Sequence, residues 1–160
     1  MEVAPTVLEH QVRWLVDRAE ITDLLIAVAR RADNREFDRL AELFTKDGYI
    51  VLPYGDGHLP ASRIGDMCRK IFAGYALTHH LLGNIAIEID GDTAVSHHYV
   101  LATHIPDADT PSAHADIGGW YDMDQRRTEN GWRLHTLDLK FIYADNLRFQ
   151  PGDPAEPAHA

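Results

Sequence analysis

The chain has little cysteine and no long hydrophobic run. Cys68 is the single cysteine among the 160 residues, so no internal disulfide can form and we expect the hydrophobic core to stabilise the fold. We expect Cys68 itself to be a small apolar residue on a helix. No apolar stretch reaches the roughly 18 residues of a membrane-spanning helix. The first residues lack the basic start and apolar segment of a secretory signal. We therefore expect a cytoplasmic protein that does not span a membrane.

Positive charge is also scarce. The sequence has 15 Lys and Arg against 25 Asp and Glu, which gives a net charge of −10 with histidine neutral. A nucleic-acid-binding protein needs a basic surface to neutralise phosphates. The pairs Arg30-Arg31 and Arg126-Arg127 are each followed by acidic residues. The composition therefore excludes nucleic acid as the expected partner.

The remaining composition and the hydrophobic periodicity indicate one α+β domain. Hydrophobic residues make up 45% and charged residues 25% of the chain, as in ordinary globular domains. Helical spacing predicts a first helix over the apolar positions 21–32, a second through Phe37 to Phe44 that stops near Gly48, and a third from Ile64 to Tyr75 with Ser62 as its cap. Helices that precede a run of strands are typical of the α+β class.

Strand-like segments follow, and they form two hairpins. Residues 49–52 predict a short strand and residues 53–60 a loop. The hairpins join 80–89 to 93–104 and 117–127 to 132–143 across turn sequences. We expect a domain over residues 7–146, in which helices cover one face of a curved antiparallel sheet. The Pro- and Ala-rich segment 147–160 is expected to be a mobile tail.

Several motifs in this order resemble the SnoaL-like families of the nuclear transport factor two superfamily. They are ITDLLIAVARRAD (21–33), FDRLAELFTKD (37–47), THHLLGN (78–84), DGDTA (90–94), GGWY (118–121) and NGWR (130–133). The resemblance spans roughly residues 12 to 146 and implies a cone-shaped sheet with about three N-terminal helices around a central pocket. Members include dehydratases, isomerases, dehydrochlorinases, cyclases, epoxide hydrolases and non-catalytic subunits, so the site must decide the function.

The resemblance places Asp33 and His80 at the positions of an aspartate–histidine pair found in scytalone dehydratases. A neutral imidazole is a good general base near pH 7 when one nitrogen is held and the other is free. A buried carboxylate holds it and stabilises the imidazolium that forms. We expect Asp33 and His80 to be catalytic, although Asp33 alone also fits a helix cap and His80 alone also fits a core histidine.

The second long strand carries a row of histidines. His98 and His104 are six residues apart, so strand alternation places both on one face, with the small residues Ala94, Ser96 and Ala102 and with Val100. The resemblance makes His104 a second catalytic histidine and supports His98 as a substrate-binding residue. A bulge in the strand would break this parity and expose one or both of them.

Other residues are candidates for binding a substrate. Tyr121, near the position of a substrate-binding asparagine in scytalone dehydratases, offers a phenol for a substrate oxygen, and Tyr54 follows the first strand and is expected at the pocket mouth. The two tyrosines that orient the substrate carbonyl in those enzymes are replaced by Ala32 and Leu52. Bile-acid dehydratases carry a tyrosine where this chain has Val28. The result is an apolar wall that favours a hydrophobic cyclic molecule: Val28, Ala32, Leu52, Val100 and Ala102.

The ten histidines do not have the spacing of a metal site. His79-His80 and His97-His98 are adjacent pairs, so each pair points to opposite faces of a strand, whereas metal sites favour His-x-His or His-x-x-x-His with a carboxylate. We expect no metal and no cofactor.

The resemblance implies a cofactor-independent lyase or isomerase of the dehydratase or β-elimination type. A polyketide-cyclase-like or epoxide-opening biosynthetic enzyme would use the same acid–base groups. A third alternative is a non-catalytic scaffold, like the small subunits of ring-hydroxylating dioxygenases. The opposite sheet face, with His97, Tyr99, Leu101 and Thr103, is apolar enough to form a homodimer or homotrimer.

Overall fold

A computed structural model describes residues 6–51 and 57–146, which form three helices and one six-stranded curved sheet. Leu52, Tyr54 and the predicted tail 147–160 lie outside the described residues. The elements, in chain order, are α1 (Val7–Asp33), α2 (Phe37–Leu40), β1 (Phe44–Val51), β2 (His58–Pro60), α3 (Ile64–Phe72), β3 (Leu77–Asp90), β4 (Thr93–Ile105), β5 (Ala115–Thr128) and β6 (Gly131–Asp145), with 3-10 turns at Ala41–Leu43 and Ala61–Arg63.

The sheet has the strand order β2-β1-β6-β5-β4-β3 and confirms the α+β class. Both predicted hairpins are present, and four of the five strand pairings are antiparallel. The exception is β1, which runs parallel to β6. The connection from β1 to β6 contains β2, α3 and the strands β3, β4 and β5, and this long path allows a parallel neighbour.

Helix α1 begins well before its predicted apolar face. Thr6 and Glu9 form a reciprocal capping box at its start. The spacing over residues 21–32 correctly predicted the buried side, which packs against β3 and β6. The buried side consists of Asp17, Ile21, Leu24, Leu25, Ala29 and Ala32.

No helix within the described part of the chain is long and apolar enough to span a membrane.

The second and third helices are shorter than predicted. The prediction that the second helix continues through Phe44 was wrong. Phe44 begins β1, where it is buried opposite Leu134. Sheet pairing here outweighs a weak helical spacing. Ser62 does not cap α3: its N-cap is Arg63, without a side-chain hydrogen bond, because residues 61–63 already form a 3-10 turn. The predicted loop 53–60 contains β2 at its end.

A bulge in β3 determines which of its side chains face inward. The register to β4 shifts between Gly83 and Ala86, and Asn84 adopts a left-handed conformation with φ of 51°. Asparagine tolerates this conformation better than most residues. Before the bulge the even-numbered residues lie on the inner face, and after it the odd-numbered ones, such as Ile87, do. His80 and Ile87 therefore share the face that α1 covers.

Strand β4 alternates regularly, as the sequence predicted. All of its even-numbered residues from Ala94 to His104 are buried, including His98 and His104. The odd-numbered residues from Thr93 to Leu101 are exposed on the outer face, and Thr103 is half-buried. His98 and His104 therefore both lie on the inside of the curved sheet.

A buried ion pair fastens α1 to the far end of the sheet. Asp17 accepts two hydrogen bonds of 2.7 Å from the Arg127 guanidinium and one of 3.2 Å from the Trp132 indole. Arg127 also stacks over the Trp132 ring and pairs with Asp92 at 2.9 Å. These hydrogen bonds from Arg127 hold the pKa of Asp17 below its ordinary value, so the aspartate stays ionised although it is buried.

Replacing Asp17 by alanine should destabilise the fold strongly. The change leaves the Trp132 N–H without its acceptor and the half-buried Arg127 with Asp92 as its remaining partner, and the loss of such hydrogen bonds costs about 1–3 kcal/mol. Urea unfolding measures the loss. The control is Asp23→Ala, an exposed residue of the same helix, which should change stability by less than about 0.5 kcal/mol. Equal effects of the two substitutions would contradict the role of the ion pair.

Candidate active site

The end of α1 and the start of β3 bring Asp33 and His80 together. Asp33 is the last residue of α1, and His80 lies on the inner face of β3. The His80 Nδ1 atom is 2.7 Å from Asp33 Oδ1, and the His80 backbone N–H donates to Asp33 Oδ2 at 3.0 Å. The two residues that the resemblance paired are thus in direct contact. Asp33 does not cap α2, whose N-cap is Glu36.

The Asp33 carboxylate accepts three hydrogen bonds. Besides the two from His80, the Thr78 hydroxyl donates to Oδ1 at 2.9 Å. Burial raises the pKa of Asp33, but the hydrogen bonds from the side chain and backbone of His80 outweigh it and leave the pKa below its ordinary value. Asp33 is therefore an ionised acceptor near neutral pH, suited to orient an imidazole.

His80 has one nitrogen held and one nitrogen free. Since Nδ1 faces an ionised carboxylate, we assign its proton to Nδ1, which leaves Nε2 as the acceptor in the neutral ring. Nε2 has no hydrogen-bond partner among the described residues. The side chains of His80 and Asp33 retain 9% and 22% of their exposure, so solvent reaches the pair. This arrangement can accept a proton at Nε2.

His104 lies beside His80 in an aromatic corner. The two imidazole rings are 5.9 Å apart, edge to face. Phe72 contacts both rings, and Tyr75 packs against His104 at 5.0 Å. His104 is 2% exposed, and its burial, with a smaller contribution from the charge of His80, lowers its pKa to about 4. At neutral pH His104 is an uncharged neighbour of Asp33 and His80.

His98 lies further along β4, deeper in the interior. It is fully buried, and neither ring nitrogen has a hydrogen-bond partner among the described residues. Burial lowers its pKa to about 4, which keeps the ring neutral. The ring packs against Tyr121 on β5, with centroids 5.4 Å apart. Burial also raises the pKa of Tyr121, whose hydroxyl has no hydrogen bond among the described residues. The inner face therefore carries polar groups that remain uncharged.

The predicted apolar wall is partly described. Ala32, Val100 and Ala102 are buried, and Val28 packs against the core. Val100 and Ala102 share the inner face of β4 with the histidines. The predictions for Leu52 and Tyr54 fall on residues outside the described ranges.

Sequence reasoning missed several neighbours of the pair. Thr78 is in the quoted motif THHLLGN and shares the strand face of His80, so its parity was a usable signal. Arg35 donates to Thr78 Oγ1 at 3.2 Å and to the Tyr75 carbonyl at 2.9 Å. Its approach depends on the turn after α1, which no local pattern indicates.

Within residues 6–51 and 57–146, no three His, Cys, Asp or Glu side chains group in a way that could hold a metal ion.

Comparison with known proteins establishes the family. The model of the SnoaL-like domain matches residues 13–138. The uncharacterized protein Rv2910c of Mycobacterium tuberculosis is 35% identical over 121 residues, which cover 74% of this chain and 80% of that protein. This chain belongs to the SnoaL-like domain family.

Solved structures share the fold. Kfla4162 from Kribbella flavida is 32% identical with a TM-score of 0.72, over 82% of this chain and 94% of that chain. A candidate scytalone dehydratase from Novosphingobium aromaticivorans is 19% identical with a TM-score of 0.75, over 91% and 97% of the two chains. The hexachlorocyclohexane dehydrochlorinase LinA-type3 from Novosphingobium barchaimii is 20% identical with a TM-score of 0.73, over 88% and 99%. The predicted likeness to dehydratases and dehydrochlorinases is thus confirmed in the fold.

Mild acid should weaken the fold through the two inner histidines. The folded-state pKa values of about 4 lie below the ordinary value of about 6.5 in an unfolded chain. Between these values the unfolded chain binds more protons, so stability falls as the pH drops from about 6.5 toward 4. His98→Phe removes one of the two groups and should flatten this decline in urea unfolding. The exposed His79→Phe is the control and should keep the wild-type slope. Parallel curves for all three proteins would contradict the assignment.

Proposed function

We propose that this protein is a cofactor-independent lyase or isomerase in which His80 removes a proton from carbon. The observation that carries the proposal is the 2.7 Å hydrogen bond from His80 Nδ1 to Asp33, which leaves Nε2 free. A held imidazole with a free nitrogen is the arrangement that general-base catalysis needs. The dehydratase and dehydrochlorinase names of two structural neighbours point to the same reaction class, elimination.

In the proposed elimination, Nε2 of His80 takes a proton from the carbon next to an electron-withdrawing group. The electron pair of that C–H bond forms the new double bond, and the leaving group departs from the β-carbon with its own bonding pair. Asp33 stabilises the imidazolium that results. His104, in ring contact with His80, is placed to hydrogen-bond the leaving group or the developing oxyanion. General acid–base help of this kind contributes about 10²–10⁴-fold.

The proposed substrate is a small, uncharged, hydrophobic cyclic molecule. Besides Asp33 and His80, the inner face carries neutral histidines, a neutral phenol and the small apolar residues Val100 and Ala102. Arg35 is occupied by Thr78 and the Tyr75 carbonyl. A charged substrate would lose its hydration without gaining an opposite charge, which is costly in a buried site.

Turnover should depend on His80 and not on His97, which also contacts an aspartate but lies on the outer face of the sheet. We suggest uncharged cyclic ketones with a β-hydroxyl or β-chloro group as a panel, with the conjugated ketone product followed by its absorbance. His80→Gln should reduce kcat/KM by about 10²-fold or more. The control is His97→Gln, because His97 also lies 2.7 Å from an aspartate, Asp122, but on the outer face.

Full elimination activity in the His80→Gln protein would refute the acid–base role. A protein that binds none of the panel and turns none over would instead favour the scaffold alternative. Equal losses in the His80 and His97 variants would indicate a general structural effect rather than catalysis.

We also propose that the protein assembles through the outer face of the sheet. Three exposed apolar side chains line up there on β3, β4 and β6, because Leu81 is opposite Leu101, Leu101 opposite Gly118 and Gly118 opposite Tyr143, whose ring covers the glycine. Leu81, Leu101 and Tyr143 are 56%, 41% and 50% exposed in the single chain. A contiguous apolar surface of this kind is typical of a protein–protein interface. A second or third copy of the chain is the proposed partner.

The mass in solution tests this assembly. The wild-type protein should have a mass of two or three times 18.0 kDa. Leu101→Glu places a charge in the centre of the row and should shift the mass toward the single chain. Thr93→Glu, at the exposed start of β4, is the control and should leave the mass unchanged. A wild-type mass of 18.0 kDa by light scattering would contradict the proposal.

A further inference from the structure

We propose that Arg35 and Thr78 form a positioning relay that holds the Asp33 carboxylate in place and thereby keeps the His80 proton on Nδ1. The inference rests on the acid–base role proposed above for His80. Neither residue touches the free Nε2 atom, so both are positioning residues and not catalytic ones.

The relay follows from the direction of two hydrogen bonds. Arg35 Nη1 lies 3.2 Å from Thr78 Oγ1, and that oxygen lies 2.9 Å from Asp33 Oδ1. An arginine can only donate, so the Thr78 hydroxyl must accept from it. A hydroxyl has one proton, and Thr78 therefore gives that proton to Asp33. The guanidinium thus fixes the orientation of a hydroxyl that would otherwise rotate.

The Thr78 hydroxyl in turn determines how Asp33 meets His80. Thr78 and His80 Nδ1 both donate to Oδ1, while Oδ2 accepts the His80 backbone N–H. With three donors arranged around it, the carboxylate has one favourable orientation. A carboxylate locked in this way presents only an acceptor to Nδ1, so the tautomer with the proton on Nε2 would leave Nδ1 and Oδ1 as two acceptors in contact. The proton is therefore kept on Nδ1.

The backbone of Arg35 gives independent support. After α1 the Glu36 N–H bonds to the Arg31 carbonyl at 2.8 Å and the Arg35 N–H to the Ala32 carbonyl at 3.1 Å. These two bonds form a Schellman motif, and Arg35 occupies its left-handed position with φ of 61°. Glycine is the preferred residue there, and a side chain in this conformation is unfavourable. An unfavourable residue at a helix end points to a role for its side chain.

The turn also explains how Arg35 reaches the site. Its guanidinium lies 5.4 Å from the centre of the Phe72 ring and 5.8 Å from that of Phe37. Its second contact is the Tyr75 carbonyl, just before β3. Aromatic faces and a carbonyl stabilise the cation, and Asp33 attracts it electrostatically without a direct ion pair among the described residues. Arg35 can thus donate to Thr78 while Asp33 remains available to His80.

The test reads the His80 tautomer directly and needs no substrate. The ¹⁵N chemical shifts of the His80 ring are followed to high pH and are compared at the plateau where they no longer change. The wild-type protein should hold the proton on Nδ1. Thr78→Val keeps the side-chain shape but removes the donor, and it should raise the population of the other tautomer. Thr78→Ser retains a hydroxyl and should restore the wild-type ratio.

Two further variants make the test specific. Arg35→Gly suits the left-handed backbone and removes the whole side chain with its guanidinium, so it should shift the tautomer ratio in the same direction as Thr78→Val, by a smaller amount. Thr103→Val is the matched control, because Thr103 donates to Asp116 at 2.7 Å and points away from the inner face of β4. It should leave the His80 shifts unchanged.

The values of kcat and KM, measured on a substrate that the wild-type protein converts, give a second readout. Thr78→Val should lower kcat about tenfold with little change in KM, since one hydrogen bond to a charged group is lost, and Thr78→Ser should recover it. Unchanged ¹⁵N shifts in both Thr78→Val and Arg35→Gly would overturn the relay, even if His80 proves essential. A shifted tautomer in a protein that catalyses no elimination would support the relay and refute the proposed function.

Discussion

The contact between Asp33 and His80 joins two parts of the chain that are 47 residues apart, and the rest of the candidate site is arranged around it. It exists because α1 ends at Asp33 over the inner face of the sheet, and because β3 carries His80 on that face before its bulge. The same bulge turns Ile87 inward, so the polar His80 and the core residue Ile87 lie on the same face of the sheet. A helix end and a strand register therefore create the pair together.

The interior separates charged from neutral groups. Asp33 is kept ionised by three hydrogen bonds, whereas burial keeps His98, His104 and Tyr121 uncharged. The exposed pair of His97 and Asp122 has the same 2.7 Å separation but lies in solvent. Distance alone therefore does not define the candidate site. Burial strengthens the electrostatic coupling between an imidazole and its carboxylate, and only the inner pair has it.

Much of this arrangement could be predicted from the sequence. The alternation of β4 placed His98 and His104 on one face, since strand parity depends only on the local chain. The resemblance to known families paired Asp33 with His80, which composition alone could not do.

Other features depend on distant contacts. The start of β1 at Phe44 requires its partner Leu134 on β6, and helical spacing gave no sign of it. The first half of α1 is largely exposed and has no apolar face toward the core. Hydrophobic periodicity therefore did not predict that the helix begins there. The contribution of Arg35 depends on a left-handed residue that is not glycine, and propensity argues against that conformation.

The most direct test of the acid–base account is a crystal structure with an uncharged cyclic ketone bound. We predict that the ligand lies on the inner face of the sheet with its α-carbon about 3–3.5 Å from His80 Nε2, the separation of a near-attack geometry. The polar oxygen should face His104 or Tyr121. A ligand bound elsewhere, or an interior filled by side chains around His80, would contradict the account.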